Sequence, residues 1–208
     1  SKNMIKQIKT TNHGDYYVVD GKKVKSFSYS IEGTTDPKVL EAQAEVFKKF
    51  NMPLNQIIHD NPIDPWNRFM GHSLFLNMTM WTEDADYYIF WDLDCIPLEE
   101  GINEYIIDHI KDGNSIIGAA QSAMHIQPDH IYAGPMCLGL TKEAWKKCNR
   151  PWLGPSKRSD VGQELTRQAE ENNVNVHLMY PTDVEEPKWK LGNGKDFLRG
   201  SARTRSEI

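Results

Sequence analysis

Two carboxylates one residue apart, Asp92 and Asp94, follow directly on five large apolar or aromatic residues, Tyr87-Tyr88-Ile89-Phe90-Trp91, and lead into Ile96-Pro97-Leu98. The apolar run predicts a buried strand. In extended backbone, residues i and i+2 face the same side, so this spacing sends both acids into one small volume. Like charges that close repel, and one must take up a proton unless a cation lies between them. A hard divalent ion such as Mg2+ or Mn2+ removes the conflict through oxygen ligands and keeps positions for substrate phosphates. A solvated turn whose aspartates cap neighbouring amides has the same local sequence, so the strand before the pair carries the argument.

The elements that must position the pair follow from periodicity. "DYYVVDGKKVKSFSYSIEG" predicts a hairpin turning at Asp20-Gly21, with Phe27, Tyr29 and Ile31 on one face and serines on the other. In "TTDPKVLEAQAEVFKKF", Thr35 or Asp36 caps a helix, Pro37 fits its first turn, and Val39, Ala42, Val46 and Phe50 line one side. A short strand, "NQIIHD", precedes a second helix from Pro65 to Thr82 and then the Asp92 strand. On that second helix Arg68, His72 and Thr79 share one stripe, while Asn77 falls opposite with Trp66 and Met70 and needs a buried partner. "GINEYIIDHIKDG" is a helix closed by Gly113; "SIIGAAQSA" and "IYAGPMCLGL" are strands. "TKEAWKKC" and "SDVGQELTRQAEENN" are helices, the latter capped by Ser159 or Asp160, and "VNVHLMYPT" is a late strand. Strands alternating with helices predict an α/β/α sandwich with a mostly parallel sheet, whose ligands bind beyond the carboxyl ends of the strands. Residues 1–182 form the expected domain, and 183–208 a polar C-terminal tail, partly flexible or a docking segment.

Composition narrows the function classes. A net charge of −5 argues against a general nucleic-acid binder, and 39% hydrophobic with 25% charged residues is ordinary for a globular protein. No apolar stretch approaches the roughly 20 residues that span a bilayer. Cys95, Cys137 and Cys148 have no CxxC spacing, which predicts reduced thiols and a cytoplasmic setting.

"YYIFWDLDCIPL" resembles the DxD segment of GT-A fold glycosyltransferases, enzymes that bind a nucleotide-diphosphate sugar through a divalent metal. The likeness extends loosely over residues 24–182. "VKSFSYSIEGTTDPKVLEAQAEVFKKF" is similar to the family's first strand and helix, where the nucleoside binds, and "GHSLFLNMTM" to the helix before the DxD strand. "AGPMCLGLTKEAW" is similar to the strand and helix lining the two sugars, and "SDVGQELTRQAEENNVNVHLMY" to the segment closing the site. The hairpin ahead of Val24 is not a typical family start.

The resemblance implies a GT-A-like (Rossmann-like) fold and a hexosyltransferase-type activity, inverting or retaining. Mn2+ or Mg2+ is the implied cofactor, the donor a nucleotide-diphosphate sugar and the acceptor a glycan or other small molecule. It assigns the metal to Asp92 and Asp94, with His177 as a nitrogen ligand. The general base that takes the acceptor hydroxyl's proton is Asp160, with Glu164 one turn later as the second candidate. Ser30, Glu32 and Asp60 are candidates for ribose hydroxyls or base edges, Arg68 for the diphosphate, and Gly134 for close ligand or strand approach. Trp152 and Trp189 are candidate stacking surfaces for an acceptor sugar.

Two other readings stay open. A GT-A-like module could hold a nucleotide or glycan without catalysis. A haloacid-dehalogenase-like phosphohydrolase also places D-x-D after an apolar strand, the first aspartate attacking phosphorus. That family's pair usually lies near the N-terminus and is followed by a late acidic pair; here over ninety residues precede Asp92 and no late strand ends in paired aspartates.

Overall fold

The computed structural model describes residues 5–11, 14–59, 65–123, 126–185 and 203–205. Its centre is an eight-stranded sheet in the order β1-β4-β3-β5-β7-β6-β8, with β2 paired to β3. The strands are β1 (Ile5–Thr10), β2 (Tyr17–Val19), β3 (Lys22–Ile31), β4 (Asn55–His59), β5 (Tyr87–Asp92), β6 (Ser115–Ala123), β7 (Gln127–Thr141) and β8 (Asn175–Met179). The helices are α1 (Pro37–Lys49), α2 (Pro65–Thr82), α3 (Ile102–Ile110), α4 (Lys142–Lys147) and α5 (Gln163–Glu171). The pairings β3–β4, β3–β5 and β6–β8 are parallel, whereas β7 runs antiparallel to both β5 and β6. Strands β3, β4, β5, β6 and β8 therefore share one direction and β1, β2 and β7 oppose it. The sheet is mixed and largely parallel, with its reversed strand beside the one that carries Asp92.

Side-chain alternation along β5 assigns the two helical layers. Tyr88 and Phe90 pack with Phe75, Leu76 and Met80 of α2, Trp145 of α4 and Leu165 of α5. Tyr87, Ile89 and Trp91 pack with Phe47 of α1 and Ile106, Ile107 and Ile110 of α3. Three layers result, as the alternation of elements predicts. The hairpin forms too, Val19 pairing with Lys22 around Asp20-Gly21.

Several local expectations change. Asp36 caps α1, its Oδ1 accepting Lys38 N–H at 3.0 Å. The buried side of α1 is Gln43 and Phe47, while Ala42 is exposed; the apolar stripe is thus centred one residue later than its aliphatic members suggest. Helix α5 starts at Gln163 behind Gly162, not at Ser159 or Asp160. Strand β1, which periodicity did not indicate, pairs antiparallel with β4 at the sheet edge. Its lysine-rich sequence suits an edge, where charge discourages further strand addition. In the expected tail, β9 (Asp183–Glu185) pairs with β10 (Arg203–Arg205), Asp183 opposite Arg205 and Glu185 opposite Arg203. Among the described residues no helix is long and apolar enough to cross a membrane.

Candidate functional site

Strand β5 ends at Asp92, and the chain turns at once. Cys95 N–H donates to Asp92 O at 2.9 Å, closing a β-turn with Leu93 and Asp94 at its tip. The two acids are therefore not displayed by one extended segment; the turn, not the pleat, brings them together. Asp94 is exposed and Asp92 half-buried. Burial, and then the charge of Asp94, push the Asp92 carboxyl up to about 6.

Parity then decides what Asp92 meets. As the next even position after Tyr88 and Phe90, it lies on the α2 side, where Tyr29 of β3 is its register partner. His72 of α2 stacks on Tyr29 and Phe75, and its Nε2 stands 3.9 Å from Asp92 Oδ1. Burial lowers His72 to about 4, so at neutral pH the imidazole is uncharged and the two groups are no ion pair. At 3.9 Å they are no hydrogen bond either. Behind them Tyr29 Oη and His59 Nδ1 are hydrogen-bonded at 2.8 Å. Helix α2 comes this close because residue 71 is glycine: a Cβ there would lie 2.1 Å from the Tyr29 hydroxyl.

A negative oxygen destabilised by burial faces a neutral nitrogen across a gap, and a second carboxylate stands beside them. That donor set suits a divalent cation. Among the described residues no three His, Cys, Asp or Glu side chains come together as a group that could hold a metal ion, so Asp92, Asp94 and His72 would hold one only with most of its ligands supplied by water and substrate oxygens.

The other predicted residues fall in several places. His177 of β8 pairs with Ile117 of β6 and its ring packs on His109 of α3 at 4.9 Å. That puts it on the α3 side, three strand spacings from β5 (β5 to β7 to β6 to β8), about 14 Å away. The sheet thus separates it from Asp92, and the nearby nitrogen is that of His72. Glu32 follows β3 at the same edge as Asp92, its N–H donating to His59 O at 2.8 Å. Ser30 is buried on the α1 side. Gly134 lies at a β7 bulge, where a Cβ would meet Gln121 Oε1 at 2.2 Å and Ala119 O at 3.1 Å; strand approach accounts for this glycine. Asp60, Trp189 and the side chain of Arg68 lie outside the described residues. Of the remaining α2 polar residues, Thr79 is buried and donates to Phe75 O, and Asn77 finds partners in Ser73 O and Leu153 N–H.

Asp160 sits in the turn before α5. A Cβ on Gly162 would lie 3.0 Å from Pro135 of β7, and Pro135 is two residues before Cys137, the register partner of Trp91 on this antiparallel strand. The turn therefore overlies the strand beside β5, at the same end of the sheet as Asp92. Asp160 Oδ1 accepts Val161 N–H at 2.8 Å, and Gln163 Oε1 accepts Asp160 N–H at 2.9 Å. Its charge also reaches the buried Tyr132, whose phenol is pushed up chiefly by burial.

Glu164 is engaged differently. Burial pushes its carboxyl up, but hydrogen bonds from Arg158, Ser159 and Gln168 outweigh that and bring it to about 2. A group so stabilised as an anion is a poor proton acceptor. Its partner Arg158 and the half-exposed Trp152 line a cavity of about 580 Å3. The Trp152 indole lies over Gly154, as a Cβ there would come within 2.3 Å of the ring.

Sequence reasoning overlooked two residues at the turn. His72 was legible from parity, since β3 and β5 direct Tyr29 and Asp92 to the same side. Gln43 was legible as a polar residue inside the stripe of Val39, Val46 and Phe50.

No family model and no curated protein matches the chain. Among solved structures, a variant of Drosophila beta-1,4-galactosyltransferase 7 in complex with manganese, UDP-Gal and xylobiose is similar at 13% identity and a TM-score of 0.45. The likeness covers 74% of this chain and 64% of that one, less than two thirds of its length. At that score it assigns no residue here.

Proposed function

We propose that the chain is a metal-dependent glycosyltransferase of hexosyltransferase type, moving a sugar from a nucleotide-diphosphate donor to a glycan or other small acceptor. The observation that carries this reading is the Asp92–Asp94 turn at the carboxyl end of a central strand, where a destabilised carboxylate faces an uncharged imidazole at 3.9 Å. The DxD resemblance of the same segment agrees with it.

In this reading Asp92 and Asp94, with His72 beside them, hold Mn2+ or Mg2+. When bound, the ion offsets negative charge on the leaving diphosphate. Asp94, exposed at the tip, reaches toward the donor, while Asp92 is fixed by the strand. Tyr29 and Phe75, their rings stacked at 5.2 Å, wall the α2 side. Glu32, at the same end of the sheet as Asp92, is the candidate for the ribose hydroxyls. If the reaction inverts configuration, Asp160 accepts the acceptor's proton through Oδ2, because Oδ1 already holds Val161 N–H.

The test is a thermal-shift screen of nucleotide-sugars with and without Mn2+, since a ligand of the native state raises its melting temperature. A shift that requires both components, and that Asp94→Ala abolishes while folding normally, is the expected result. An unchanged shift in that variant counts against the scheme, as does release of phosphate from a generic aryl phosphate, which belongs to a phosphohydrolase.

A further inference from the structure

Helix α1 lies on the opposite side of the sheet from His72, yet it reaches the same turn. Gln43, fully buried, donates from Nε2 to Asp92 O at 2.8 Å and to Cys95 O at 3.0 Å. These are the carbonyls of the first and last residues of the β-turn that displays Leu93 and Asp94. Gln43 Oε1 in turn accepts from Gln56 Nε2 at 3.3 Å, and Gln56 Nε2 also donates to Leu40 O at 2.8 Å. Carbonyl oxygens can only accept, so the two turn contacts must come from the amide NH2. The Gln56 donor then fixes the oxygen on the other side, and the orientation is set by the network itself. A buried amide is costly unless its hydrogen-bonding groups are matched, and both Nε2 hydrogens are.

We infer that Gln43 is a positioning residue: from beneath the sheet it locks the Asp92–Cys95 turn and so fixes how the two carboxylates converge. The inference rests on the proposed cation site for its functional consequence. Asp92 is held by β5 on one side only; past it the chain leaves the sheet, and the turn's own hydrogen bond is the single Cys95 N–H contact. Two bonds from one rigid amide hold both ends of the turn at a fixed separation. Such support beneath a ligand-bearing residue typically changes metal affinity by about 10- to 100-fold when it is removed. Gln43 is fully buried and both its Nε2 hydrogens go to backbone carbonyls, so its effect passes through backbone order.

The experiment compares the full chain with Gln43→Met, which keeps the side chain's length and removes both donors. Two readouts are taken well below the melting temperature. One is hydrogen exchange of peptides covering residues 92–98 against peptides from β6 and β8. The other is the Kd for Mn2+ from the EPR signal of the free ion. The expected result is exchange about tenfold faster in 92–98 with β6 and β8 unchanged, and Mn2+ affinity about tenfold weaker. Exchange that is unchanged in 92–98, or that rises uniformly across the sheet, overturns the inference. Should Gln43→Met fail to fold, Gln43→Asn draws the amide back by one methylene, and the same local acceleration is required of it. If the unaltered chain binds no Mn2+, the proposed cation site fails, while the exchange comparison still decides the role of Gln43.

Discussion

Two acidic side chains of this molecule, Glu164 and Asp92, live under opposite rules. Glu164 has every advantage an anion can be given: Arg158, Ser159 and Gln168 all donate to it, and its carboxyl is held at about 2. Asp92 has none. Its side chain takes no protein hydrogen bond among the described residues, a second carboxylate stands beside it, and it is pushed up to about 6. Its own backbone carbonyl, by contrast, is satisfied twice, by Gln43 and by Cys95 N–H. The difference teaches that the two acids are held by different means: Glu164 is neutralised by its neighbours, whereas Asp92 is held by its backbone and its charge is left unmatched by any protein hydrogen bond among the described residues. Glu164 ties the Arg158–Ser159 loop to α5, and as a stabilised anion it is a poor proton acceptor.

The comparison can be broken at its steric foundation, which is the largest effect expected. Gly71→Ala places a methyl against the Tyr29 hydroxyl and forces α2 away from β3. Overpacking of this kind costs about 2–3 kcal/mol, and it carries His72 away from Asp92. Urea denaturation should show the loss, and Mn2+ affinity should fall with it. A fully stable variant would mean that α2 does not depend on that contact.

Glu164→Gln sharpens the other half. The folded-state carboxyl lies far below its ordinary 4.5, so its stabilisation is present above that value and is lost as pH falls toward 2. Arg158 is open to solvent, which weakens the pair. The expected cost is about 1–2 kcal/mol at pH 7, shrinking to nothing in acid, with Mn2+ affinity unchanged. A large loss of Mn2+ binding would place Glu164 in the site after all.

The smallest effect has the opposite sign. Because Asp92 is raised from 3.8 to about 6, its ionisation works against folding: the favourable contribution is complete below 3.8 and disappears as pH rises through 6. With 39% of the side chain exposed, solvent damps the effect. Asp92→Asn in chelator should therefore be more stable than the parent by about 1 kcal/mol at pH 8, with the gap closing near pH 4. Melting curves across that range decide it. A less stable variant at pH 8 would show that the carboxylate is stabilised by groups other than a cation.

Much of the frame was legible because short-range periodicity and burial agree. The run Tyr87–Trp91 is apolar on both faces since helices cover both, and α2 spans Pro65–Thr82 as its pattern predicts. The errors arose where a residue's role depends on partners distant in sequence. Extended geometry was assumed through Asp94, but among the described residues no strand carries the pairing past Asp92, and the freed backbone turns. Asp160 and Ser159 are good cap residues, yet the helix waits for Gly162, where Pro135 of β7 packs against the backbone. His177 lies late in the chain, and strand order places it on the far side of the sheet from Asp92.

The sequence by itself determined the alternation of strands and helices, the buried strand and the presence of two acids at its end, because these depend on residue type and on spacing within one element. Only the tertiary structure decided which helix faces which acid. That assignment depends on sheet order, on the parity of β3 and β5, and on two long-range contacts: Gly71 against Tyr29, and Gln43 beneath the turn. Hydrogen bonds and close packing between residues about 40 or more positions apart leave no periodic trace in the chain, so chemistry that arises between elements had to be read from their arrangement in space.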